Sequence, residues 1–185
     1  MMQQYHSPST YPVIMRISHW IRAGLIIGLI ALGWWMTSLP DGNSIKFERL
    51  FPLHKSFGML VLFFSIFQLF VRYYSTLPES PENLALWEKR LSNLVQRAMI
   101  ALTLIVPIMG YVMSSTYLQS DGVPFFIFDI PEILPKNENA FVLFNLLHKI
   151  SAYTLMVLVI LHICGVIKHR LFDRTKENDV LSRML

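Results

Sequence analysis

The chain has 185 residues, of which 54% are hydrophobic and only 15% are charged, with a formal net charge of +4. Soluble domains carry roughly a quarter charged residues, so a water-soluble globule is excluded for the bulk of the chain. The modest basic excess comes without a basic-aromatic surface module and does not support nucleic-acid binding. At about 20 residues per bilayer crossing, the length accommodates four spanning helices with short loops, read as one domain over residues 1–185.

Residues 1–12 are polar, and His6 among them is read as solvated. The first apolar run covers about 13–37, with Pro12 suiting a helix start and Leu39-Pro40-Asp41-Gly42 a stop and turn. It has no A-x-A-like cleavage site and it holds His19, so a retained first helix is expected rather than a signal peptide. The second run, about 54–74, follows Phe51-Pro52 and ends on Arg72-Tyr73-Tyr74, a basic and aromatic interface anchor. A loop through Leu77-Pro78-Glu79-Ser80-Pro81 leads to a short polar stretch, Trp87 to Arg90, expected to lie on the membrane surface. The third run, about 93–116, contains Pro107 and Gly110, which membrane helices tolerate where neighbours satisfy the backbone. Residues 117–140 form the longest loop; its Phe125-Phe126-Ile127-Phe128 segment is too short to span and is expected to dip into the interface or cover a site. The fourth run, about 142–167, contains the single cysteine, Cys164, read as a small core residue.

Charge distribution sets the orientation. The N-terminal end, the second loop and the C-terminal tail hold 11 Lys and Arg: Arg16, Arg22, Arg72, Lys89, Arg90, Arg97, Lys168, Arg170, Arg174, Lys176 and Arg183. The opposite side holds five: Lys46, Arg49, Lys55, Lys136 and Lys149. The positive-inside rule then predicts that both termini are cytoplasmic. The fold class expected is an all-α membrane protein, a four-helix transmembrane bundle.

Four histidines stand near the ends of these runs: His19, His54, His148 and His162. Imidazoles inside a membrane are costly unless something engages them. Fourteen residues separate His148 from His162, an advance of about 21 Å with a rotation back to within roughly 40°. Depth therefore pairs His54 with His148 on the outer side and His19 with His162 on the inner side. Two imidazoles do not complete a tetrahedral zinc site. They do complete a haem, whose porphyrin supplies the four equatorial nitrogens. Small residues follow each histidine by about one turn: Ala23 and Gly24, Gly58, Ala152, and Gly165. They leave room for a macrocycle, although close helix packing uses the same residues. No C-x-x-C-H motif is present, so two non-covalent b haems are expected. His169 is read as a surface or propionate-side residue. Arg16, Arg22 and Lys168 are either propionate partners or positive-inside charges. The methionines Met109, Met113 and Met156 read as packing.

An ordered set of motifs runs through all four segments. It comprises Tyr11-Pro12-Val13-Ile14 with Ser18-His19-Trp20, then Leu53-His54-Lys55-Ser56-Phe57-Gly58, and Pro107-Ile108-Met109-Gly110. Leu147-His148-Lys149, Leu161-His162, and the tail Lys168-His169 with Asp179-Val180-Leu181-Ser182-Arg183-Met184 complete it. From about residue 11 onward the chain resembles the bacterial cytochrome b561 family of four-helix dihaem inner-membrane proteins. The resemblance implies two b haems, electron transfer linked to the quinone pool, and His19, His54, His148 and His162 as axial ligands. Relatives often carry a histidine near the start of the third helix, where this chain reads Leu94-Val95-Gln96-Arg97. Gln96 is a poor haem ligand, so a quinone or proton site served by that histidine would be altered here, without affecting the haem count.

The expected function is a dihaem b-type cytochrome relaying single electrons across the bacterial inner membrane, between a donor or acceptor protein and a quinone such as ubiquinone. A cytochrome b anchor subunit of a larger dehydrogenase or hydrogenase is the alternative. A haem-free transporter or scaffold would leave the paired histidines without a role. No acid-base pair or nucleophile stands out for hydrolase or transferase chemistry.

Overall fold

The computed structural model describes residues 9–81, 84–173 and 178–185. His6, Arg174 and Lys176 lie outside the described residues. Four helices, α1 (Val13–Ser38), α2 (Phe51–Tyr74), α3 (Leu86–Thr116) and α4 (Glu138–Leu171), are each long and apolar enough to cross a bilayer. The loop between α2 and α3 shares one end of the bundle with the N-terminal start of α1 and the end of α4. The connections α1–α2 and α3–α4 occupy the other end, called here the hairpin side.

The first helix matches its apolar run. The second starts at Phe51, three residues before the expected position, and is preceded by a π-helical turn, Lys46–Leu50. Lys46 is buried, and its Nζ donates to the Leu39 carbonyl (3.1 Å) and to Asp41 Oδ1 (2.6 Å), so this turn closes the C-terminal end of α1.

The third helix departs more from expectation. Trp87 to Arg90 is not a separate surface stretch but the first turn of α3. The reason is local capping: Glu88 accepts from the Ala85 N–H through Oε2 (3.3 Å), and its Oε1 accepts from Lys168 Nζ on α4 (2.7 Å). The polar turn is thus satisfied as helix and extends past the apolar run. Helix α4 likewise outruns its predicted span at both ends, opened by Asn137, whose side chain accepts from the Ala140 N–H (2.9 Å).

The 117–140 loop contains a two-stranded antiparallel hairpin, β1 (Val123–Phe125) and β2 (Phe128–Ile130), with Phe125 opposite Phe128. Its two-residue turn puts Phe126 at φ 55°, a left-handed conformation uncommon for a bulky residue. Ser56 on α2 holds it there: its hydroxyl accepts from the Phe126 N–H (3.0 Å), with its own proton shared between the Pro52 carbonyl (2.8 Å) and the Pro124 carbonyl (3.2 Å). The Phe126 ring meets Phe57 edge-on (5.3 Å), and Phe125 meets Phe63 in the same way (5.7 Å). Ser56 lies about 200° around α2 from His54. The hairpin therefore covers the far face of that helix rather than the histidine.

Helix α3 packs chiefly on α4, and α2 packs on both α1 and α3. Among the described residues, neither α1 nor α2 packs closely on α4. The core is small: Ile26, Val61 and Leu155, flanked by Leu29, Met99, Val106 and Val159. Small polar residues (Ser18, Ser65, Thr103, Ser114, Ser115) are also buried, as expected where membrane helices approach closely. Most remaining apolar side chains face outward, as lipid requires. Cys164 is one of the outward residues, contrary to its reading as a core residue.

Candidate functional site

On the hairpin side, His54 of α2 and His148 of α4 face each other, with ring centroids 6.3 Å apart and planes at 83°. An imidazole nitrogen sits about 2 Å from a first-row metal it ligates, so two rings on opposite sides of one ion place their centroids about 6 Å apart. The observed spacing meets that requirement, across two helices that do not otherwise pack closely.

The tautomer of His148 is defined by its surroundings. Its Nδ1–H donates to the Val106 carbonyl on α3 (2.9 Å). A carbonyl can only accept, so the proton is on Nδ1 and the Nε2 lone pair is free for a metal. His54 differs: its Nδ1 is buried with no hydrogen-bond partner among the described residues. Each ring is also flanked by a glycine on the neighbouring helix. A Cβ at Gly110 of α3 would lie 3.1 Å from His148 Cε1, and one at Gly33 of α1 would lie 3.5 Å from His54 Cε1.

His19 of α1 and His162 of α4 stand at the other level, and Trp20 lies edge-on to His19 (5.5 Å). Beneath them the C-terminal segment folds back on α1. Tyr11 N–H donates to the Arg183 carbonyl (3.0 Å), Trp20 Nε1–H to the Met184 carbonyl (2.9 Å), and Arg16 to the Leu185 carbonyl. His169 belongs to this end rather than to the histidine pair. Its Nδ1 lies 2.8 Å from Asp173 Oδ2, and Asp173 also takes Lys168 and Asn178. Those partners, Lys168 first, hold the Asp173 carboxyl well below the usual carboxylate range.

The two levels are connected by a strict register. His19 and Gly33, His54 and Gln68, Gln96 and Gly110, and His148 and His162 are each 14 residues apart on their helices. Halfway between the members of each pair stand Ile26, Val61, Thr103 and Leu155, all buried. Seven-residue steps keep one face of each helix turned to the bundle axis. The result is a layer at each histidine level and a packed layer between them.

A family model described as prokaryotic cytochrome b561 matches residues 10–185. The chain belongs to the prokaryotic cytochrome b561 family. Cytochrome b561 homolog 2 of Escherichia coli (strain K12) is 28% identical over 185 residues, covering 97% of this chain and 93% of the relative. This cytochrome is accordingly a multi-pass bacterial membrane protein that binds haem b and transfers electrons.

Its residues fit the haem. Beyond the imidazole spacing, a Cβ at Gly24, Gly58 or Gly165 would meet nothing within 4 Å. Among the described residues, no third or fourth His, Cys, Asp or Glu completes a bare-metal cage. Sequence reasoning selected the four histidines but not Gly33, Gly110 as a neighbour of His148, or the Val106 carbonyl. The 14-residue interval would have found both glycines had it been applied to every helix. Gln96 follows that interval in sequence, yet its side chain is exposed and donates to Ser92 Oγ (3.0 Å).

Proposed function

We propose that this cytochrome holds two b haems, one between His54 and His148 and the other between His19 and His162, and relays single electrons across the inner membrane to or from the quinone pool. The observation that carries the reading is the opposed His54–His148 pair, 6.3 Å between centroids, across helices that leave room between them. The excess of Lys and Arg at the end bearing α1's start and α4's end supports cytoplasmic termini, hence an outer pair at His54–His148 and an inner pair at His19–His162.

Haem b held by His19, His54, His148 and His162 would supply one-electron chemistry. The chain does the remainder. His148 is held in one tautomer by Val106, the levels stand about 21 Å apart along α4, and the Ile26, Val61, Thr103 and Leu155 layer keeps the space between them dry. Relay by single electrons suits a two-electron quinone at one face and a one-electron partner at the other.

The test is stepwise reduction of the purified protein in lipid nanodiscs by ubiquinol. Reduction of both haem bands, in two phases, is expected. Complete reduction by dithionite with none by ubiquinol or menaquinol would remove the quinone from the proposal.

A further inference from the structure

The geometry points to the Val106 carbonyl as the group that orients His148, with Gly110 as the residue that leaves this carbonyl open to the ring. The inference rests on the two-haem reading above and concerns how one of the four ligands is held.

In a regular helix a carbonyl accepts from the N–H four residues on, and the side chain at that position shields it from other helices. For Val106 that position is Gly110, which has no side chain. The space is closely matched. A Cβ there would lie 3.1 Å from His148 Cε1 and 3.2 Å from Nδ1, so even alanine would force the ring to move. Glycine thus clears the approach, and the exposed acceptor is the one that His148 Nδ1–H reaches at 2.9 Å.

The partner ring provides the contrast. His54 Nδ1 has no acceptor among the described residues, and a Cβ at Gly33 would meet its ring only at an ordinary contact distance of 3.5 Å. One ligand of the outer pair is therefore fixed by a hydrogen bond and the other by packing. A hydrogen bond from Nδ1–H to a carbonyl makes Nε2 a stronger donor to iron. Stronger donation favours the ferric state and lowers the potential of the outer haem. The Val106-Pro107-Ile108-Met109-Gly110 segment acts on the haem only through His148, as a positioning element.

The test compares Gly110→Ala with Gly28→Ala in the full-length protein, purified with its haem. Three quantities are read: haem per chain, the midpoint potential of each haem by redox titration, and the low-spin ferric EPR signals. Gly110→Ala is expected to raise the potential of the outer haem, shift its EPR signal and weaken its retention by roughly 10–100-fold, leaving the inner haem unchanged. Gly28→Ala, at an exposed position where a Cβ meets nothing within 4 Å, is expected to leave both haems as in the parent. If Gly110→Ala does not accumulate, the histidine Nδ1–H resonances of the parent protein take its place; one slowly exchanging proton at the outer haem is expected, and two that exchange equally fast would overturn the inference. An unchanged outer potential and EPR signal, or equal shifts in both haems, would overturn the inference. Failure of the parent protein to carry two haems would instead overturn the reading on which it rests.

Discussion

A histidine in the apolar part of a bilayer is costly unless its nitrogens are used, and four such residues on three helices carry this account. His54 and His148 meet ring to ring, and His19 and His162 stand at the other level. His148→Ala should leave one haem per chain, and so should His162→Ala, but the surviving haems should differ in midpoint potential. Loss of both haems in each variant, with the protein still folded, would contradict the pairing. These four residues were legible because imidazole in a hydrophobic run is rare and because depth and spacing follow from helix geometry alone. The Val106 acceptor was not legible. A backbone carbonyl leaves no mark in a sequence, and Gly110 read only as a residue that membrane helices tolerate. Only packed neighbours revealed what its missing side chain allows.

Helix existence followed from hydrophobic runs, as did both ends of α1 and the C-terminal ends of α2 and α3; the starts of α2 and α3 and both ends of α4 did not. Trp87 to Arg90 looked like a surface segment because polarity was all that the sequence displayed there. The bonds from Ala85 to Glu88 and from Lys168 to Glu88 made it helical. The hairpin was equally hidden. Four apolar residues in a loop announced contact with lipid or a site, but not a β-turn held by a serine on another helix. Within a bilayer every backbone polar group needs a partner, and Ser56 supplies one to the strained turn at Phe126. Ser56→Ala should therefore destabilise the protein by about 1–3 kcal/mol, the cost of an unsatisfied buried group. The loss should appear as lower thermal stability in detergent and faster amide exchange over residues 123–130, with haem content unchanged. Exchange over 123–130 that matched the parent would show that the ring contacts alone hold the turn.

The molecule as a whole is organised by a seven-residue step shared by four helices. It sets His, Gly or Gln at two levels, with the Gln96 side chain exposed, and buries Ile26, Val61, Thr103 and Leu155 between them. The sequence displayed this register fully on α4, where both marks are histidines, and only in part elsewhere. On α1 to α3 the second mark is a glycine or glutamine, residue types too common to be noticed without the packing. Charge adds direction to the same frame, with 11 basic residues assigned to one end and five to the other. All of this serves one claim, that the chain carries two bis-histidine b haems at separate depths. The reduced-minus-oxidised visible spectrum of the purified protein, with haem counted per chain, tests it most directly. Sharp low-spin b-type bands at two haems per chain are predicted. One haem per chain would mean that a histidine pair does not ligate, and a protein without haem would contradict the account.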